Sequence, residues 1–466
     1  MKLPAYPRTK PSGIEWLGDV PEHWKVRRLK TSATCWVSNV DKVPAEDEPP
    51  VRLCNYTDVY YHDYITPDME LMETTATADE IRRFGLRVGD VVITKDSEEW
   101  SDIAVPALVK KTALDLVCGY HLAIIRSRPK ALFGDYLLRA LQSCAVNQQF
   151  QVAASGVTRY GLPKASIGEA WIPLPDPTEQ RAIAAFLDRE TGRVDRLVAK
   201  KRELIERLKE KRTALISRTV TRGLPPAAAR AAGLPANPPL KPSGLDWLGD
   251  APAHWEALTV RRRAKRIQTG GTPPTAEERY YEDGTVPWFG PGSFDDQIVV
   301  SQPIKLLNSS AVKEGAGRMF AAGATMVVTI GATLGKVSSL AEAGSCNQQI
   351  TVIEFDYRRI HPRFATYQLK RLEPALRAIA PSATLPILDQ GEIADIAIGL
   401  PPLPEQAAIA AYLDLETAKL DALVGKVEEA VERLQEYRTA LITAAVTGKI
   451  DVRKAVPAGS STAALR

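Results

Sequence analysis

Short polar segments set among glycine and threonine are the parts of this chain whose chemistry is most informative. Three of them, 158–161, 268–272 and 347–349, read Thr-Arg-Tyr-Gly, Gln-Thr-Gly-Gly-Thr and Asn-Gln-Gln. Arg, Asn and Gln side chains can hydrogen-bond a base edge at two points, and glycine lets a backbone approach a ligand closely. Any one such segment is more often an ordinary loop. The candidate base contacts are Arg159, Tyr160, Gln268, Thr269, Gly271, Thr272, Asn347 and Gln348.

Positive charge is concentrated in two short runs, 25–30 and 261–266, each just after a His-Trp pair. Arg and Lys in such runs can neutralise phosphates, although a solvated helix face explains either run alone equally well. The net charge is only +4, so a DNA-binding role depends on local clusters rather than on bulk charge. The candidates from these runs are Arg27, Arg28, Lys30, Arg261, Arg262 and Arg263, and Lys95 and Lys336 are further candidates for DNA contact.

No catalytic residue is predicted. The Phe-Gly-Pro-Gly segment 289–292 resembles an adenosylmethionine-binding motif, but its glycines fall at the wrong offsets. Segment 331–337 is one residue short of a phosphate-binding loop and lacks the Ser or Thr of that motif. The five histidines are dispersed and have no metal-ligand spacing, so no metal site is expected. His23 and His254 each precede a tryptophan at matching places, which favours packing over catalysis.

Cysteine usage and hydropathy indicate the compartment. Five cysteines are scattered along the chain without a Cys-x-x-Cys pair, which fits a reducing cytoplasm and argues against a structural zinc site. No apolar run approaches the roughly 20 residues that cross a membrane. The first residues lack the apolar core of a signal peptide. We therefore expect a cytoplasmic protein with no membrane partner.

The elements that must position these residues come in two copies. Segment 11–24 returns as 242–255 with ten of its fourteen positions identical, and 179–188 returns as 405–414. Between these repeated blocks, residues 25–170 and 256–398 show no such likeness. Similar frames that hold dissimilar inserts predict one scaffold presenting two different recognition surfaces.

Each copy ends in a long helical pattern. Proline-rich starts near 173–177 and 401–404 and glycines at 223 and 448 bound two stretches of about 40 residues, hence roughly 60 Å each. Apolar residues recur at alternate steps of four and three, which is the spacing of a coiled-coil seam. A pseudo-two-fold relation between the copies would make the two helices antiparallel. The predicted seam is Ile183, Leu187, Val194, Leu197, Leu204, Leu208 and Leu215 in the first helix, and Ile409, Leu413, Leu420, Leu423, Val427, Leu434 and Leu441 in the second.

The inserts have mixed patterns. Strand-like runs occur at 88–94, 121–125, 323–330 and 350–355, and helical spacing occurs at 133–150 and 362–380. The predicted fold class is α+β, with two globular domains separated by two long antiparallel coiled-coil helices and an internal pseudo-two-fold repeat.

The pattern resembles the specificity subunit of type I restriction–modification systems. The repeated Pro-Ser-Gly-x-x-Trp-Leu-Gly-x-x-Pro-x-His-Trp block and the two Glu-Gln-x-x-Ile-Ala-x-x-Leu-Asp helix starts carry the likeness over nearly the whole chain. Segments 269–273 and 330–336 of the second insert also match, whereas 93–97 and 118–122 resemble a different branch of recognition domain. The resemblance divides the chain into an N-terminal conserved segment (1–24), target recognition domain 1 (25–170), a central conserved region with helix and connector (171–241), the repeated segment (242–255), target recognition domain 2 (256–398) and a distal conserved region with helix and tail (399–466).

The resemblance implies a non-catalytic subunit that reads double-stranded DNA. Each recognition domain would read one half of a bipartite, asymmetric site in the major groove, and the paired helices would set the spacer between the halves. The helices would also dock two methyltransferase subunits, which restriction and translocation subunits would join. Adenosylmethionine, ATP and magnesium are expected on those partners, and no cofactor is expected on this chain.

Two other classes of protein remain as alternatives. A self-contained restriction–methylation enzyme is disfavoured because no catalytic motif is present. A non-enzymatic coiled-coil scaffold whose globular domains bind protein is the second alternative, and only the family resemblance argues against it.

Overall fold

The chain forms two compact units. The computed structural model describes residues 4–245, 247–379 and 386–453. Residue 246 of the repeated segment, 380–385 of the second insert and 454–466 of the predicted tail lie outside the described residues. Unit 1 comprises Met1–Arg202 and Glu428–Arg466, and unit 2 comprises Glu203–Val427. Each unit is therefore built from one insert, half of one long helix and half of the other.

Unit 1 contains short strands and helices followed by a long helix. Its strands are β1 (Thr9–Pro11), β2 (Asp19–Pro21), β3 (Lys25–Arg28), β4 (Ala33–Val37), β5 (Pro50–Cys54), β6 (Tyr64–Ile65), β7 (Met72–Thr75), β8 (Val91–Thr94), β9 (Asp96–Ser97), β10 (Pro106–Val109), β11 (Leu116–Cys118), β12 (Leu122–Ser127), β13 (Tyr160–Gly161) and β14 (Trp171–Leu174). Its helices are α1 (Tyr56–Tyr60), α2 (Ala78–Phe84), α3 (Gly134–Gln142), α4 (Cys144–Ala153), α5 (Lys164–Glu169) and the first half of α6 (Pro177–Arg222).

The insert of unit 1 has three layers. A five-stranded sheet with strand order β4-β12-β8-β10-β6 forms the middle layer, and its edge pair β10–β6 is parallel. Successive strand residues point to opposite faces, so Val91 and Ile93 pack with helix α3 whereas Val92 packs with the small sheet β11-β5-β7. All four residues of β8 are buried, because both faces of this strand are covered.

Unit 2 contains the corresponding set of elements. Its strands are β15 (Leu240–Pro242), β16 (Asp250–Pro252), β17 (Glu256–Thr259), β18 (Ala264–Thr269), β19 (Val286–Phe289), β20 (Val299–Val300), β21 (Lys305–Leu307), β22 (Met319–Phe320), β23 (Thr325–Val328), β24 (Val337–Leu340), β25 (Gly344–Cys346), β26 (Ile350–Phe355) and β27 (Ala397–Leu400). Its helices are the second half of α6, α7 (Pro226–Ala231), α8 (Ser309–Lys313), α9 (Pro362–Arg371), α10 (Glu373–Ile379), α11 (Gln390–Asp395) and the first half of α12 (Leu403–Val446).

The two inserts share one topology although their sequences are unlike. The five-stranded sheet of unit 2 has the order β18-β26-β23-β24-β20, again with a parallel edge pair, β24–β20. Val327 packs with helix α9 on one face, and Met326 and Val328 pack with the small sheet on the other. That small sheet, β21-β19-β25-β22, has a parallel pair, β19–β25, as unit 1 has in β5–β11, and it adds one strand. Strand for strand, β8 therefore corresponds to β23 and β12 to β26.

A buried carboxylate joins each repeated His-Trp pair to the start of a long helix. In unit 1, Glu179 accepts a hydrogen bond from Trp24 Nε1 at 2.9 Å and lies 2.9 Å from His23 Nε2. In unit 2, Glu405 accepts from Trp255 Nε1 at 3.1 Å and lies 2.7 Å from His254 Nε2. Buried polar groups need such partners. The two repeated blocks thus make the same contact, once in each unit, and a histidine takes part in each.

The long helices run antiparallel in each unit. In unit 1, Asp195 of α6 accepts from Arg438 of α12 at 2.9 Å, and further along α6 Val198 packs against Val431. In unit 2, Arg212 pairs with Asp421 at 2.9 Å, and Ile216 lies in the cluster that contains Leu413. From Asp195 to Ile216 along α6, the contacted residues of α12 therefore run backwards, from Arg438 to Leu413. The predicted fold class is confirmed: α+β units, two long antiparallel helices of 46 and 44 residues, and an internal repeat.

The seam between these helices is displaced from the predicted one at three positions. Leu197, Leu204 and Leu423 are 43%, 44% and 48% exposed, so their assignment to the seam is wrong. The adjacent Val198 and Ile205 are buried instead, and Val424 is half-buried. Among the other predicted positions, Ile183, Leu187, Val194, Ile409, Leu413, Leu420 and Leu441 are buried, and Leu208, Leu215, Val427 and Leu434 are half-buried.

The displacement begins at a buried threonine in each helix. After Leu187 the buried face advances four residues to Thr191, not three to Glu190, and after Leu413 it advances four to Thr417. Thr191 and Thr417 are 1% and 3% exposed. Every second seam position after that step moves by one residue.

Candidate nucleic-acid interface

Three candidate residues of the first insert, Lys95, Arg159 and Tyr160, come together where β8 ends. β13 pairs with β9 and sets Tyr160 opposite Ser97, which brings Arg159 beside the turn that holds Lys95. Lys95 Nζ lies 2.6 Å from Asp96 Oδ2, and His121 Nδ1 lies 2.9 Å from the same oxygen. Arg159 Nη2 is 3.3 Å from the His121 ring. The structure therefore gathers Lys95, Arg159 and Tyr160 and adds two groups that the polar-segment analysis missed, Asp96 and His121.

The first cluster, defined as Lys95, Asp96, His121, Arg159 and Tyr160, is charged. Partial burial alone would raise the pKa of Asp96, but hydrogen bonds from His121 and Lys95 outweigh it and lower that pKa. Asp96 therefore stays ionised and holds the neighbouring donors in place. Ionised carboxylates accept from cytosine N4, and Arg or Lys binds the acceptors of guanine.

The candidate residues of the 269–272 and 347–348 segments in the second insert also meet at the corresponding edge. The Gly-Gly turn after β18 crosses the segment after β25 so closely that a Cβ on Gly270 would lie 2.2 Å from the Cys346 carbonyl oxygen. Only glycine fits that crossing. The Thr272 hydroxyl donates to Gln348, and Gln390 of α11 donates to the Thr269 hydroxyl at 2.7 Å.

The second cluster, defined as Thr269, Thr272, Asn347, Gln348, Gln349 and Gln390, is made of neutral amides and hydroxyls. Asn347 Nδ2 donates to Gln349 Oε1 at 2.9 Å, which orients both amides. The one cation seen against this turn among the described residues is Arg318, whose guanidinium donates to the Thr269 carbonyl at 2.5 Å. Asn and Gln amides pair with adenine at N6 and N7. Arg318 and Gln390 were not among the predicted contacts. Gln349 belongs to the predicted Asn-Gln-Gln segment, although only Asn347 and Gln348 of that segment were chosen as candidates.

The two clusters occupy the same place on the shared fold. The Lys95 amide donates to the His121 carbonyl at 2.9 Å, and the Thr329 amide donates to the Gln349 carbonyl at 2.8 Å. A second match follows: the Leu162 amide donates to the Lys95 carbonyl at 2.8 Å, as the Leu388 amide donates to Thr329 at 2.9 Å. His121 and Gln349 are thus equivalent positions with different chemistry.

The remaining candidates lie away from the clusters. Arg28 and Lys30 contact Glu169 of α5, and the Arg28 guanidinium lies 5.0 Å from the Trp171 ring centroid; Arg27 is exposed on β3. Arg261 pairs with Asp395 at 2.6 Å. The Gln268 amide oxygen accepts from Arg266 Nε at 2.7 Å. Lys336 Nζ donates to the Phe294 carbonyl at 2.9 Å.

Neither a metal-ligand cluster nor a membrane-spanning helix is found among the described residues. Within the described parts of the chain, no three His, Cys, Asp or Glu side chains are placed to hold a metal ion. Across residues 4–245, 247–379 and 386–453, none of the helices is both long and apolar enough to cross a membrane.

Comparison with known proteins finds a family match over part of the chain. Residues 265–433 match the family described as "Type I restriction modification DNA specificity domain". The putative type I restriction enzyme MjaX specificity subunit of Methanocaldococcus jannaschii is 20% identical over 444 residues, which cover 94% of this chain and 96% of that protein. The type I restriction enzyme EcoBI specificity subunit of Escherichia coli is 32% identical over 110 residues, 24% of this chain and 23% of that one.

A solved structure has the same fold. It is described as the structural basis underlying complex assembly and conformational transition of the type I R-M system, and it matches 92% of this chain and 99% of its own with a TM-score of 0.68 at 19% identity. The family match covers the second insert and most of α12, and the relative from M. jannaschii spans both units. The resemblance drawn from the sequence is confirmed: this chain is similar to the specificity subunits of type I restriction–modification systems.

Proposed function

We propose that this chain reads a bipartite, asymmetric site in double-stranded DNA, with one half read by each insert. The observation that carries the proposal is that one fold presents a charged cluster in unit 1 and a neutral amide cluster at the same place in unit 2. Groups that differ in this way pair with different base edges. Unlike half-sites follow from that difference.

We further propose that the chain is the non-catalytic scaffold of its complex. Two methyltransferase subunits would dock on the helix pair and its His-Trp frames, and restriction and translocation subunits would join them. Adenosylmethionine, ATP and magnesium would act on those partners. Two continuous helices support this role, because each of them contributes residues to both units.

Methylation mapping tests the proposal. The full chain is co-expressed with the methyltransferase subunit encoded beside it, and modified adenines are located by long-read sequencing. We expect one split motif with two unlike halves on opposite strands. A purified complex that leaves every adenine unmodified, or a motif with identical halves, would contradict the proposal.

A further inference from the structure

A basic groove lies in unit 2 at the end of β18 farthest from the second cluster. Its volume is about 570 Å³, and five cations but only two carboxylates line it. The cations come from two places that the sheet brings together. Arg262, Arg263 and Lys265 precede or begin β18, and Arg358 and Arg359 follow β26.

Three of these cations have free charged groups. Arg262, Lys265 and Arg358 are exposed, and no side-chain acceptor contacts them among the residues that the structure describes. The other two are weakly paired: Arg359 lies 3.6 Å from Asp356, and Arg263 lies 3.9 Å from Glu256. A concave wall with unpaired cations is a site for an anion rather than a solvated face.

The chemistry of the groove fits a nucleic-acid backbone better than a protein surface. Protein interfaces have an apolar centre and a polar rim. Here the charged groups line the walls, and Tyr357 is the one large apolar side chain that is well exposed among the described lining residues. DNA presents a negative charge about every 1.7 Å along its axis, so one short stretch of backbone can meet several cations.

The position of the groove also fits one duplex. Five residue steps of β18 separate Ala264 from Thr269, which is about 17 Å at 3.3 Å per residue. A duplex that follows this strand would pass about five base pairs, at 3.4 Å each, between the second cluster and the groove.

We propose that this basic groove binds backbone phosphates of DNA beside the half-site that unit 2 reads. The inference rests on the proposed function and adds to it a contact that carries no sequence information. It predicts that the groove sets affinity and salt dependence, whereas the second cluster sets base preference.

The test measures the salt dependence of DNA binding by the assembled complex of the full chain with its methyltransferase subunits. Arg262→Gln, Lys265→Gln and Arg358→Gln are combined in one variant. Each lost phosphate contact lowers the slope of log K against log salt by about 0.9, so we expect the slope to fall by about 2.7. The loss of affinity should be equal on a duplex with the mapped motif and on one without it.

A matched control is available in the same unit. Arg279 is exposed but already paired with Glu277 and Glu314, at 2.8 and 3.0 Å, so Arg279→Gln should leave the slope unchanged. An unchanged slope in the triple variant would overturn the inference. So would a correctly folded variant that no longer assembles with the methyltransferase subunits, because the groove would then dock a protein. If the unaltered complex bound no DNA, the proposed function itself would fail.

Discussion

The two units place different chemistry on the same sheet. At the end of the central strand, unit 1 has Asp96 held by His121 and Lys95, and unit 2 has amides and hydroxyls held by one another. The strands beneath are buried and nearly interchangeable in order. These sheets thus fix where each polar cluster stands, and a few residues in the connections decide its chemistry.

The units differ in the same way where each insert meets the helix pair. In unit 1, Arg139 of α3 is 1% exposed and donates to Asp188 of α6 at 2.8 Å and to Asp63 at 3.0 Å. In unit 2, Tyr367 of α9 donates to Asp414 of α12 at 2.8 Å. One anchor is a buried ion network and the other a neutral hydroxyl on a carboxylate.

Exchange of a whole insert should have the largest effect. Replacing residues 25–170 with the first insert of a type I specificity subunit should change one half of the methylated motif completely and leave the other half intact. The reason is that the five-stranded sheet of each unit is built entirely from its own insert. Methylation mapping checks the outcome. A change in both halves would show that the units do not read independently.

Removal of the buried ion network should have the next largest effect. Arg139→Met leaves Asp188 without this cation, whereas Asp63 keeps its pair with Arg438 at 2.6 Å. Breaking a fully buried pair costs about 3–5 kcal/mol, so we expect a loss near the lower end of that range. Its counterpart Tyr367→Phe removes one hydrogen bond and should cost about 1 kcal/mol. Urea unfolding of both variants measures the two free energies. Equal losses would contradict the contrast between the anchors.

Single changes in the clusters should act on one half-site each. Arg159 and Gln348 are exposed members of the first and second cluster. Losing a bidentate base contact costs about 1–3 kcal/mol of discrimination. We expect Arg159→Met to relax the half read by unit 1 and Gln348→Ala to relax the half read by unit 2. Mapping with competing sites would reveal the reverse pattern if the assignment were wrong.

The seam is the feature that both units share, and adjacent residues test its position. Ile205 is 8% exposed and Leu204 is 44% exposed. Ile205→Ala should lower the free energy of unfolding by about 2 kcal/mol, since it removes buried methyl groups. Leu204→Ala should stay within about 0.5 kcal/mol, as surface changes do. Thermal or urea unfolding distinguishes the corrected seam from the predicted one.

The smallest expected effect is a pH dependence confined to unit 2. Burial lowers the pKa of His361, an effect that Asp414 opposes and Arg363 supports, and its ring accepts from the Phe364 amide at the start of α9. Because the folded-state pKa lies below the unfolded value of 6.5, the stabilisation is complete above pH 6.5 and is lost as the pH falls through the folded pKa. Loss of a helix cap costs about 1 kcal/mol.

Hydrogen exchange at the first turn of α9 between pH 7 and pH 5 measures this loss. Phe133 stands at the corresponding place before α3, so that helix should show no such change. His361→Asn keeps an acceptor that does not titrate, and it should remove the dependence. Equal acid sensitivity of α3 and α9 would contradict the assignment.

Much of the fold could be predicted because hydrophobic periodicity, and the prolines and glycines that bound helices, are local signals in the sequence. The strand-like runs at 88–94 and 350–355 contain β8 and β26, and the proline and glycine limits bound α6 and α12 within a few residues. The seam was misplaced because Leu197–Val198 and Leu204–Ile205 are adjacent apolar pairs. Only the partner helix decides which member of each pair is buried.

The clusters were only partly predictable because they depend on contacts between distant segments. Arg318 and Gln390 reach the second cluster from a loop and from α11, far from the Gly-Gly turn in the sequence. His121 and Gln349 are equivalent because of their backbone hydrogen bonds. The sequences of the two inserts are too unlike to reveal that equivalence.

The two units are completed at different times as the chain is synthesised. Unit 1 needs residues from 428 onward, and Asp451 donates its amide to the Pro4 carbonyl at 2.7 Å, whereas unit 2 is complete by residue 427. At about 5–20 residues per second, the ribosome adds the intervening stretch in roughly 10–45 s. The first insert is therefore synthesised first but is the last to receive its half of α12. During that interval the residues of unit 1 that pack against α12 stay uncovered, because that part of the helix is not yet translated.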